Sequence, residues 1–146
     1  MLCLLTGMAW LYVQPVQAQK KEIAAAKDLV KAGKNLDQAQ QNMEKLLLDS
    51  ANRTNRKIWA VLYDAVRKQY EQGNEQLYLK QKYDTAKLFS LTRQLFVIAE
   101  GIDSVESIPN RKGKVEIESR KGHAEYLNQI RPNLYNGGSW FVRKQN

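Results

Sequence analysis

Residues 23–100 contain no proline, and their apolar side chains recur at steps of three and four. That combination is the strongest constraint on the fold. Every backbone N–H in the stretch is free to donate, and the spacing places apolar groups on one side of a 3.6-residue helix, so the segment is expected to be helical throughout. Ile23, Ala26 and Val30 form a first stripe, which Gly33 ends. Leu36, Ala39, Met43, Leu46 and Leu47 form a second. The polar run 50–55 reads as a turn, with Thr54 or Asn55 placed to cap the next helix. Ile58, Trp59, Leu62, Ala65, Val66 and Tyr70 share one face of a third helix, which Gln72-Gly73-Asn74 is expected to break or bend.

Leu77 and Leu79 follow, and Lys80-Gln81-Lys82 reads as a short turn. Asp84 or Thr85 then opens what the pattern predicts to be the longest helix. Its stripe is Leu88, Leu91, Leu95, Ile98, Ile102 and Val105, widened by Phe89, Phe96 and Ala99. A helix apolar over so much of its circumference must be covered on more than one side, so it is expected to be the inner helix. Pro109, Asn110 and Gly113 mark 107–113 as a loop. The mixed charges of 111–121 read as the solvated start of another helix, continued by Ala124, Leu127, Ile130 and Leu134. Pro132 is expected to start or kink a helix, leaving 134–142 as a short aromatic one. The fold class is therefore all-α, built of antiparallel helical hairpins.

The first 19 residues carry no charge. The apolar run 2–13 resembles the core of a signal peptide, and Val16-Gln17-Ala18 resembles its small-x-small cleavage site. The expected division is a signal peptide at 1–18, a helical region at 19–106, the loop 107–113 and further helices at 114–146. The rival reading of the start is an uncleaved membrane anchor. Cys3 is the only cysteine, so a chain beginning at Gln19 holds no disulfide and no thiolate metal site. The net charge of +8 falls wholly after residue 19. A basic balance suits nucleic acid, but export argues against that partner. The charge is expected first of all to be a solvated basic surface, with contact to an anionic envelope surface (lipid or cell-wall polymer) or an acidic partner as the alternative.

Two segments carry a sharper signal. In the final stretch Leu134, Gly138 and Phe141 stand at steps of four and three. Tyr70, Leu77, Tyr83 and Ala86 form a second set at wider spacing. Both resemble the tetratricopeptide-repeat family, whose 34-residue unit is a pair of antiparallel helices. The resemblance puts Leu134, Gly138 and Phe141 at positions 4, 8 and 11 of one unit. It puts Tyr70, Leu77 and Ala86 at positions 4, 11 and 20 of another. A looser match places Ala39 at position 20 as well. Gly137 stands where the family has Leu, Asn74 stands where it has Gly, and Ala39 and Ala86 lie 47 residues apart. The resemblance implies a stacked α-solenoid in which the glycine admits the partner helix and the aromatic fills the space beside it. It also implies a partial last repeat, hence a fragment of a longer chain.

No catalytic, cofactor or metal constellation emerges. His123 is the only histidine and lacks an acidic cluster at ligand spacing. Ser139 lacks the flanking glycine pattern of a hydrolase nucleophile. Gly137-Gly138 reads as packing, and Trp59, Tyr63 and Tyr70 read as core rather than as a stacking face for a ligand. The functional expectation is an exported scaffold that binds a protein or peptide and has no catalysis of its own. Two other readings fit the same pattern: the helical part of a larger envelope enzyme, and a structural bundle or anchor.

Overall fold

The computed structural model describes residues 8–145, with side chains from Val16 onward. The expectations for residues 1–7, Cys3 among them, lie outside the described residues. The protein is all-α, and its described residues form five helices packed antiparallel in chain order: α1 (Met8–Ala32), α2 (Leu36–Leu48), α3 (Arg56–Tyr78), α4 (Thr85–Glu106) and α5 (Arg120–Gln145). Each packs on the next, and α1 also reaches α3. No described helix is long and apolar enough to cross a membrane. Val16 and Ala18 are exposed on α1, which continues through them without interruption.

The ends of the helices follow local chemistry. Gly33 adopts φ +67°, a conformation that costs glycine little, and its N–H returns to the Val30 carbonyl. Asn55 accepts from the Lys57 N–H and Asp84 from those of Ala86 and Lys87, so both act as caps. Between them α3 ends at Tyr78, and Lys80 takes the left-handed conformation that turns the chain.

The core lies between α2, α3 and α4. Met43, Ile58, Val66 and Leu95 are fully buried there, with Leu62, Ala65 and Leu91 around them. A chain of amides ties the three helices together at one side. Gln69 of α3 donates to Gln40 of α2 at 2.7 Å, and Gln40 donates to Gln94 of α4 at 2.7 Å. Pairing these amides with one another removes the cost of burying them singly.

The structure departs from the sequence expectations in four places. The helix α3 is not broken at Gly73; it runs on to Tyr78, and Gly73 instead makes room for the Tyr83 ring. Among the described residues the longest helix is α5 rather than α4, and α3, packed by α1, α2 and α4, is as much an inner helix as α4. Residues 111–119 are not the start of a helix: they form the loop before Arg120, where Val115 and Ile117 lie exposed. Finally, α5 is one helix and not two. Pro132 lies on its exposed side, and Ile130 and Gly137 are buried on either side of it.

Ring-to-glycine contacts recur between successive helices. Trp59 of α3 lies on Gly101 of α4, so close that a Cβ there would stand 2.5 Å from Cζ3 of the indole. Phe89 of α4 lies on Gly137 of α5, where a Cβ would stand 2.8 Å from the phenylalanine Cβ. With Tyr83 on Gly73, three helical glycines each seat one aromatic ring from the neighbouring segment.

Candidate binding groove

The helices α3 and α5 are separated by α4 in sequence but meet along one seam through their side chains. Tyr63 stacks on His123, with ring centroids 4.0 Å apart and an interplanar angle of 31°. The Arg67 guanidinium lies 4.1 Å over the Tyr126 ring. Asn133 Nδ2 donates to the Tyr70 hydroxyl at 2.7 Å. Positions 63, 67 and 70 thus meet 123, 126 and 133 in the same order, so the two helices run parallel.

The seam is anchored at its N-terminal end by Glu106, the last residue of α4. Its carboxylate is buried and accepts from the Glu118 N–H at 3.0 Å, the Ser119 N–H at 3.0 Å and the Ser119 hydroxyl at 2.7 Å. It therefore holds the residues that lead into α5, where a negative charge also meets the positive end of the helix dipole. Burial acts to raise the Glu106 pKa, but the hydrogen bonds from Ser119 and Glu118 outweigh it and hold the carboxyl below its usual value. Arg56 reinforces the junction, donating to the Glu106 carbonyl at 3.3 Å and the Glu116 carbonyl at 3.2 Å. Arg120 and Asp103 pair across α4 and α5, with Nη2 donating to Oδ2 at 2.9 Å.

Beside this junction opens a cleft of about 300 Å³, lined by Arg56, Trp59, Tyr63, Asp64, Glu106 and His123. The groups around it titrate away from their ordinary values. Burial pushes the Tyr63 phenol up to about 12 and raises the Asp64 carboxyl. Burial also lowers His123, against the opposing pull of Glu106 and Asp64. The hydroxyls of Tyr63 and Tyr126 are buried along the seam without a hydrogen-bond partner among the described residues. Lys57, Asp64, Arg67 and Glu71 continue outward from the seam as an exposed row at seven-, three- and four-residue steps, one side of α3. Arg67 and Glu71 pair at 2.8 Å.

This arrangement offers rings, a guanidinium and alternating charges to a ligand. Ser119 donates its hydroxyl proton to Glu106, and Glu116 and Glu118 belong to the loop rather than to a helix. No group of three His, Cys, Asp or Glu among the described residues stands where it could hold a metal ion.

The residues singled out by the repeat pattern fall into two groups. Tyr70 is buried in the seam, Tyr83 covers Gly73, Leu77 packs on the core and Ala86 is half-buried in the first turn of α4. Leu134, Gly138 and Phe141 lie instead on the outer side of α5, all exposed. The glycine that admits a neighbouring ring is Gly137, not Gly138. Of the aromatic trio on α3, Trp59 faces α4, whereas Tyr63 and Tyr70 face α5. Sequence reasoning missed Arg56, Arg67, Glu106, Tyr126 and Asn133. Only Glu106 left a trace there, as an acid at the end of an apolar stripe.

Compared with known proteins, the chain matches no family model, no curated protein and no solved structure.

Proposed function

We propose that this chain is a tetratricopeptide-like scaffold of the cell envelope that binds a protein or peptide segment along the α3–α5 groove. The observation that carries this reading is the parallel seam of α3 and α5. Where the two helices meet beside the end of α4, Arg56, Trp59, Asp64, Glu106 and His123 line a cleft of about 300 Å³ open to a ligand. Helix stacking of this kind is how α-solenoids build their binding surfaces. The exposed row Lys57, Asp64, Arg67 and Glu71 supplies polar contacts, and Trp59 and His123, half-buried at the cleft, supply the apolar ones. Export rests on the uncharged apolar start and the Val16-Gln17-Ala18 site.

Panning a displayed random-peptide library on the immobilised chain tests the binding proposal. Selected peptides should lose at least about tenfold in affinity, roughly 1.4 kcal/mol, against Lys57→Glu/Arg67→Glu, because both charges are exposed and reversed in place. Peptides that bind both forms equally would remove the groove as the site.

A further inference from the structure

The amide chain that ties α2, α3 and α4 together has one open end. Gln94 donates to the Ser90 hydroxyl at 3.1 Å, Gln40 donates to Gln94, and Gln69 donates to Gln40. The oxygens of Gln40 and Gln94 are thus taken by the neighbouring amides. No donor among the described residues reaches Gln69 Oε1. The Leu36 carbonyl accepts from Gln69 Nε2 at 3.4 Å, which sets which way round this amide sits. Gln69 is only 8% exposed, and it lines a cavity of about 210 Å³ between α2, α3 and the start of α4. A nearly buried acceptor without a donor costs stability unless something in the cavity supplies one.

The rest of the wall narrows the chemistry of that donor. The helix α2 begins here, at Leu36 and Asp37, without a side-chain cap, so its first N–H groups still lack an acceptor. The two charged residues of the wall, Asp37 and Lys87, are of opposite sign and leave no net charge. Tyr83, whose ring lies on Gly73, forms one side. An anion would suit the start of α2 but would face the Gln69 oxygen and Asp37. A cation would suit Gln69 but would meet Lys87 and the positive end of the α2 dipole. A neutral hydroxyl suits both, because one oxygen donates and accepts. A water molecule has the same chemistry but takes up only about 30 Å³, so the cavity has room for a ligand with several hydroxyls.

We infer that this cavity binds one neutral sugar ring. One hydroxyl donates to Gln69 Oε1, a second oxygen accepts at the start of α2, and the C–H face of the ring lies against Tyr83. The site shares no lining residue with the α3–α5 cleft and does not depend on it.

The experiment titrates the isotope-labelled full chain with glucose, galactose, mannose and N-acetylglucosamine, and follows the amide signals by NMR. At least one sugar should move the backbone signals of Leu36 and Asp37 and the side-chain amide of Gln69, with Kd on the order of 1 mM for so small a ligand. Gln69→Met keeps the length of the side chain and removes the acceptor, so affinity should fall at least about fivefold. Gln76→Phe leaves the amide chain intact and puts a ring into the half-buried wall, so it should abolish binding without lowering the melting temperature. Lys57→Glu/Arg67→Glu should bind sugar as wild type does, which separates this site from the cleft. Sugars that move none of these signals overturn the inference, as does unchanged affinity in either Gln69→Met or Gln76→Phe. Inorganic phosphate or acetamide moving the same signals where no sugar does would also overturn it, and would name an anion or a peptide amide as the occupant.

Discussion

Helices α2–α4 and helix α5 are fixed by different means. The first three bury aliphatic side chains against one another, with Met43, Ile58, Val66 and Leu95 removed from solvent altogether. In α5 the only buried residues are Ile130 and Gly137. It is held by Ile130 and Leu127 at the edge of that core, by a carboxylate just ahead of its first turn, by rings and one amide along α3, and by one phenylalanine on a glycine. Apolar burial is non-directional and cumulative, so the central layer is robust to its details. Caps and close approaches depend on single atoms, so α5 is the part that single substitutions can release. A helix fixed this way leaves its other side exposed.

The largest effect is expected in the central layer. Leu95→Ala removes a fully buried side chain and should cost about 2–5 kcal/mol, from lost burial and the cavity left behind. Chemical denaturation would show it as a shift of the whole transition. A loss below about 1 kcal/mol would mean that α2–α4 are not the core, and the contrast with α5 would fail.

Glu106→Ala should cost less, about 1–3 kcal/mol, because it leaves the Glu118 and Ser119 donors without their acceptor. The loss should also be local. Amide exchange should quicken through α5 while α2–α4 keep their protection, since opening of one unit need not open the rest. Uniform loss across all helices would show that α5 is part of the same cooperative core.

How much of this contrast was legible in the sequence follows the same division. The period of three and four marked the stripes of α2, α3 and α4 correctly, because burial of a helix face leaves that pattern whatever the partner. Residue type narrowed the helix starts to Thr54 or Asn55 and to Asp84 or Thr85, and Asn55 and Asp84 are the ones that cap. It misread Gly73 as a break, since a glycine that admits a ring and a glycine that ends a helix look alike until the ring is located. It split α5 at Pro132, because the tolerance of a proline depends on which side of the helix it occupies. The groove was mostly illegible. Arg67 on Tyr126 and Asn133 on Tyr70 join residues 59 and 63 positions apart, and no local pattern announces such a pair.

A smaller effect should appear on acidification. Burial lowers the His123 pKa in the fold, so the unfolded chain takes up a proton near pH 6.5 before the folded chain does. Its contribution to stability is therefore fully present above about pH 6.5 and is lost as pH falls through the lower folded value. Glu106 acts in the same direction in a more acidic window, because its folded value is also lowered. Denaturation between pH 7.5 and 5.5 should show a shallow decline in wild type that His123→Gln flattens. An equal slope in both would place the titration elsewhere.

The central claim is that α5 has one side fixed to α4 by a ring on Gly137 and another side left open at Gly138. Adjacent substitutions test it most directly: Gly137→Ala and Gly138→Ala, each followed by thermal melting and amide exchange. At residue 137 the new methyl would press on the Phe89 Cβ, near its backbone and unable to swing away, so overpacking should cost about 1–3 kcal/mol and strip protection from α5. At residue 138 the methyl meets open space, so the variant should be neutral or gain up to about 1 kcal/mol from helix propensity alone. Loss of stability at 138 with none at 137 would reverse the two sides of α5 and contradict the account.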